Sequence, residues 1–216
     1  MKLSYRSLLN YDLHETNGHL GRVRDIYFDD RNEEILFFVI DTGSWFIHHD
    51  VLISPEAIEG ISEFEKIIQI KLSKEQLEQS PNASTQPPAS VQYEKLYTQK
   101  HTMPIFWDSD WNMAHYPSYS WGNYNDNSID TEKVKDIHLR SANELLHYQA
   151  KLSNNELDDI VDFKIDTNDW KVSSLILDCG PWYSGTSKEF KLNHITKIKW
   201  SKQIVQVDAE NDVVKV

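Results

Sequence analysis

The sequence predicts an all-β chain made of two small β-barrels, and three observations carry that prediction. The segment LGRVRDIYFDDRNEEILFFVIDTGSW from Leu20 recurs as LDDIVDFKIDTNDWKVSSLILDCGPW from Leu157, at a constant offset of 137 residues. Between Leu8 and Trp45, ten of 38 aligned pairs are identical, against roughly two expected from ordinary composition. They include Tyr11/Tyr148, Asp25/Asp162, Asp29/Asp166, Asp41/Asp178, Gly43/Gly180 and Trp45/Trp182. Within each copy the apolar residues alternate or fall in short runs between turn residues, without the 3.6-residue period of an amphipathic helix.

In the first copy the pattern places strands near residues 20–28, 35–41, 51–54 and 67–72, with Asn17-Gly18 and Asp30-Arg31-Asn32 as turns. Their counterparts in the second copy lie near 157–165, 171–178, 189–192 and 204–208. The register returns at Ile58/Ile195, Ile61/Ile198, Ile67/Ile204 and Gln69/Gln206. In between, a two-residue shift sets Val51 and Ile53 opposite Phe190 and Leu192. Each copy is expected to be a closed unit. The continuous run ILFFVI, Ile35 to Ile40, reads as a strand buried on both sides by barrel curvature or a neighbouring domain. Ser73, with Gln76 three residues on, is the N-cap of a short closing helix that Pro81 stops.

The domain reading is a first barrel over 1–81, a linker and aromatic-rich connector over 82–136, and a second barrel over 137–216. Residues 79–91 form a Pro/Ser/Asn run with little to bury, which reads as an extended linker. From Tyr93 to Tyr124 nine residues are aromatic. That is too much apolar surface to leave solvated, so the segment should dock on the barrels or on a partner. Trp107, Trp111, His115, Tyr119 and Trp121 are the candidate interaction surface.

Composition narrows the function classes. The chain has 216 residues, so each barrel is near the lower limit for an independent core, which favours mutual packing or oligomerisation. With 22 basic against 34 acidic residues the net charge is −12, which opposes a phosphate backbone and argues against direct nucleic-acid binding. Cys179 is the single cysteine, leaving no intrachain disulfide or Cys-based zinc site, as suits a reducing cytoplasm. The N-terminus lacks a long apolar stretch and no run is long enough to span a membrane.

No catalytic constellation stands out, and no cofactor or metal is expected. His48-His49-Asp50 carries ligand types side by side, but strand neighbours point to opposite faces, so a solvated loop is the better reading. Asp25 and Asp29, repeated as Asp162 and Asp166, are about 13 Å apart at strand rise, too far for paired-carboxylate chemistry. Turn capping is expected of them, and Asx turns of Asp41 and Asp178. His14, His19, His101 and His115 are scattered, and Walker, GxGxxG and nucleophile-elbow motifs are absent.

LLNYDLHETNGHLGRVRDIYFDD followed by ILFFVIDTGSWF and VLISPEAI resembles the PRC-barrel, the domain shared by the photosynthetic reaction centre H subunit and the ribosome maturation factor RimM. The order of motifs is similar to that of bacterial proteins with tandem PRC-barrels, whose second barrel begins much like HLRSANELLHY. The second copy departs from the pattern: His147 precedes the Tyr in place of Gly, the turn is Asn154-Asn155, and Asp158 replaces the Gly that opens the strand. Asn tolerates φ > 0, so the turn should survive, whereas Asp158 should relax the strand entry. The resemblance implies a barrel that docks onto proteins and is not a catalyst. The expected function is a non-catalytic cytoplasmic adaptor, self-associating as a dimer, with protein partners. The alternatives are a small-ligand sensor or enzyme with its site between the barrels, and a ribosome-assembly accessory protein.

Overall fold

The computed structural model describes residues 1–15, 18–43, 50–85, 87–89, 138–178, 187–199, 202–208 and 214–215. The first repeat comprises β1 (Lys2–Ser4), α1 (Tyr5–Leu8), β2 (Asp12–Glu15), β3 (Gly18–Asp29), β4 (Ile35–Asp41), β5 (Asp50–Ile53), β6 (Ile58–Ser62), β7 (Ile67–Ile70) and α2 (Lys74–Glu78). The second comprises β8 (Leu139–Ser141), α3 (Ala142–Leu145), β9 (Gln149–Lys151), β10 (Leu157–Asp166), β11 (Lys171–Asp178), β12 (Ser187–Lys191), β13 (Ile195–Lys199) and β14 (Ile204–Val207), followed by β15 (Val214–Lys215).

The two sheets share one order. The first runs β5-β4-β3-β2-β7-β6, the second β13-β14-β9-β10-β11-β12, and β15 extends the second along β12. Among the described residues neither path closes, since β5 and β6, like β12 and β13, stand at opposite ends. The closed unit expected of each copy is therefore, among the described residues, an open sheet of barrel-like strand order. A single 3-10 turn joins each such pair, Pro55–Ala57 in one repeat and Leu192–His194 in the other.

The repeat extends to irregularities. β3 and β10 are each bulged against their neighbours β4 and β11, between Val23 and Asp25 and between Ile160 and Asp162. Positive φ recurs at Glu33 and Trp170, and at Lys66 and Gln203. All these pairs keep the offset of 137. The two-residue shift read from the sequence is not found. Phe38 pairs with Ile53 as Leu175 pairs with Phe190, so Ile53 and Phe190 are equivalent at the constant offset. Apolar matching had displaced the alignment, because Lys188 stands where Val51 does.

One core serves both repeats. Leu8, Leu13, Ile26, Phe28, Phe38 and Ile40 of the first pack in the same buried cluster as Phe163, Ile165, Leu175, Leu177 and Phe190 of the second. Phe163 meets Tyr5 edge-on at 6.0 Å and Phe28 at 6.4 Å, and Trp170 meets Phe38 edge-on at 5.1 Å. The turns after β3 and β10 bond reciprocally: Ile35 N–H donates to the Trp170 carbonyl and Val172 N–H to the Glu33 carbonyl.

A smaller cluster lies on the outer face of the first sheet, where Tyr27, Val39, Leu52 and Leu139 are buried with Ala83 against them. That accounts for ILFFVI being apolar throughout: Phe38 and Ile40 face the shared core while Val39 faces this second cluster. The start of the linker contributes to the cover. Leu52 N–H donates to the Pro81 carbonyl, Val51 bridges to Asn82, and Ala89 is fully buried. Residues 81–83 of the expected extended linker thus lie against β5 and this cluster. The capping box at Ser73 and Gln76 forms as expected.

Strand entry differs between repeats as the Gly21/Asp158 exchange predicts. A Cβ on Gly21 would lie 2.4 Å from the Asp41 carbonyl oxygen. The second repeat carries a side chain there and opens: Leu157 is 50% exposed, whereas its equivalent Leu20 is 2% exposed. Asn155, with φ 66°, holds the left-handed turn position. Gly21→Ala is expected to destabilise the protein by about 1–3 kcal/mol through this overlap, and urea unfolding measures it; an unchanged midpoint would refute the close approach.

Candidate interaction site

β3 is too long for its neighbour. β2 pairs only with Gly18–Arg22, leaving the far half of that edge of β3 open. β8, from the other repeat, fills it, with Tyr27 opposite Ser141, Phe28 opposite Arg140 and Asp29 opposite Leu139. The second repeat does the same in reverse. β9 covers residues 157–159 of β10, and β1 from the first repeat pairs with Lys164–Asp166. Each repeat thus completes its sheet with the N-terminal arm of the other. The boundaries at 81 and 137 separate repeats along the chain, but the sheets cross them.

A carboxylate fastens each arm, placed by the bulge just before it. Asp25 accepts from Ser141 Oγ at 2.5 Å, from the Asn143 backbone N–H at 2.9 Å, from its neighbour Ile26 N–H at 2.7 Å and from Tyr5 Oη at 2.9 Å. Asp162 accepts from Ser4 Oγ, from the Arg6 backbone N–H at 3.1 Å and from Phe163 N–H at 2.8 Å. Both arms have one design: a short strand, a serine that caps the following helical turn, and a carboxylate of the opposite repeat bonded to both. Ser4 and Ser141 are those caps.

The electrostatics differ. Asp25 is buried, and burial pushes its carboxyl up to about 6 against the lowering effect of its donors. Burial, with the Asp25 charge beside it, raises the Tyr5 hydroxyl well above the usual tyrosine range. Just past the end of β3, Asp30 accepts from Arg140 Nε at 2.6 Å and lies 2.7 Å from His138 Nδ1. Asp29 is paired with Arg31, whose side-chain hydrogen bonds hold the carboxyl below its ordinary value.

Asp29, Asp30 and His138 place ligand-type atoms within 4.8 Å of one another. Arg31 and Arg140 already answer the two carboxylates, so the arrangement is an ion network tying β8 to β3.

Of the sequence-predicted interaction residues, Trp107, Trp111, His115, Tyr119 and Trp121 lie outside the described residues, as do Trp45, Trp182, Cys179, His48 and His49. Asp50 makes a bidentate pair with Arg24 at 3.0 and 3.1 Å. Turn capping holds for Asp29 and Asp166, which accept from the backbone N–H groups of Arg31 and Asn168, and for Asp41, which accepts from Gly43. It fails for Asp25 and Asp162: they lie within β3 and β10, beside the bulges, and cap helical turns on the other repeat. The available signal was the conservation between repeats of Ser4/Ser141 alongside Asp25/Asp162.

The raised Asp25 carboxyl has a consequence for stability. With a folded value of about 6 against an unfolded value near 3.9, the folded state binds the extra proton. The contribution is full below about pH 4 and is lost as pH rises through 6, a change of about 3 kcal/mol. Asp25→Asn keeps an acceptor and removes the titration. Unfolding free energies of wild type and variant between pH 4 and 7 should diverge by that amount, wild type losing relative stability as pH rises; parallel curves would refute it.

No curated protein matches the chain. The PRC-barrel domain model matches residues 2–77, a span that takes in β1 to β7 and most of α2. The chain therefore carries a PRC-barrel domain over residues 2–77, and its second repeat builds a second sheet of the same strand order.

Proposed function

We propose that the protein is a non-catalytic cytoplasmic adaptor that binds other proteins and associates with its own copies. The observation that carries this reading is the way each sheet holds a foreign segment: strand addition to an open edge, with a carboxylate gripping the serine and helical turn that follow. Strand addition is a general mode of peptide recognition, in which main-chain bonds give affinity and side-chain pockets give selectivity. The chemistry of Asp25 supports the same reading. Its raised carboxyl is what a general acid or base needs, but four donors converge on it and the arm covers it, so it serves the interface.

The aromatic connector supplies the second line of support. Trp and Tyr are the side chains that most often dominate protein interfaces, and residues 93–124 concentrate them. Among the described residues no helix is long and apolar enough to cross a membrane. The test is capture from native extract with the intact chain and with a Trp107→Ala, Trp111→Ala, Trp121→Ala variant, both verified as folded. A specific protein retained by the first and lost by the second is the expected result. A co-purifying small molecule with no protein would overturn the adaptor reading.

A further inference from the structure

We propose that two copies of this chain assemble by exchanging halves, the first repeat of each completing its sheet and core with the second repeat of the other. This deepens the self-association in the proposed function. The interface is already an exchange within one chain: β8 sits on β3, β1 on β10, and a common core lies between. The same contacts form between chains without any new chemistry, since the repeats are joined only through residues 82–137.

The order of synthesis gives exchange its opportunity. When the first repeat is complete, residues 82–216 have still to be made, which takes on the order of ten seconds at roughly 5–20 residues per second. Through that interval Phe28, Ile26 and the open edge of β3 have no second repeat of their own to cover them. A second repeat from a neighbouring chain fits. Once both repeats of a chain exist, the tether favours closure within it. An exchanged pair formed earlier persists, because reversal requires opening the shared core.

Charge fixes which halves pair. Arg140 and His138 meet Asp30; at the same offset the first arm carries Leu3 and Met1. Two first repeats would set Leu3 where Arg140 stands and lose the guanidinium that pairs with Asp30. Two second repeats would set Arg140 against Thr167, the equivalent of Asp30. Only a first repeat with a second repeat satisfies both arms.

Lys2 and Asp166 are Cα partners across the β1–β10 ladder. In a Cys179→Ser background, one tagged chain carries Lys2→Cys and a differently tagged chain carries Asp166→Cys. Mild oxidation after co-expression should give a covalent dimer bearing both tags, and mixing the separately purified chains should give none. No covalent dimer, when a single chain carrying both substitutions closes internally, overturns the proposal. A second pair covers failure of that closure. Asp29 and Leu139 are Cα partners on the β3–β8 ladder, so Asp29→Cys in one tagged chain and Leu139→Cys in the other should, on co-expression and oxidation, also give a covalent dimer bearing both tags. Its absence, when a single chain carrying both substitutions closes internally, overturns the proposal. A dimer by mass that never cross-links would be a side-by-side pair, ending exchange while leaving self-association. Loss of the connector's captured partner is read separately and bears on the adaptor role alone.

Discussion

The constraint on which this architecture depends is the unpaired edge of a strand that outruns its neighbour. β3 and β10 continue past the residues that β2 and β9 can cover, and an exposed strand edge bonds whatever extended chain is offered. Each repeat offers the other its own N-terminal arm. With that edge filled, the bulge one turn back presents a carboxylate to the incoming serine. Strand length, bulge position and arm sequence are therefore one device, and it appears twice.

The exchange also answers the difficulty of size. A domain of some 75 residues buries a modest share of its surface and is marginal by itself. Here Phe28 and Phe163, one from each repeat, pack against each other in the middle of a single core. Each half supplies apolar surface that covers the other's. The reciprocal bonds between the β3–β4 and β10–β11 turns, with Trp170 placed by its positive φ onto Phe38, close the far side of that core. Conservation of positive φ at unlike residues, Glu33 with Trp170 and Lys66 with Gln203, indicates that backbone geometry outlasted side-chain identity between the repeats.

The repeat itself, the strands and the capped helix were legible because periodicity and turn residues are local signals. What escaped was long-range. From composition the linker reads as spacer, yet Pro81 and Asn82 bond to β5. The shift assigned around Val51 came from matching hydrophobic residues where the structure keeps Lys188 in the equivalent place. Asp25 and Asp162 were recognised as repeated and given a local role, since a sequence shows neighbours along the chain and not the arm that arrives from the other half. Of the candidate interaction residues, all belong to the connector and lie outside the described residues, so the interaction site the structure does describe is one the sequence reading did not single out.

The two clamps are not independent, and the reason lies in adjacent residues. On the first arm, Ser4 bonds Asp162 of the second repeat while Tyr5 turns inward and donates to Asp25 of the first. Tyr5 is fully buried and packs edge-on to Phe163, the residue whose backbone N–H also donates to Asp162. Withdrawing the first arm would strip one donor from Asp25, which is the carboxylate that holds the second arm through Ser141 and Asn143. A buried anion that loses a donor is costly, so release of one arm weakens the grip on the other. The second arm carries Ala142 at the position of Tyr5 and has no hydroxyl there to return the favour. Beside the shared core and the reciprocal turn bonds, Tyr5 therefore links the two clamps directly, so that loosening one arm loosens the other.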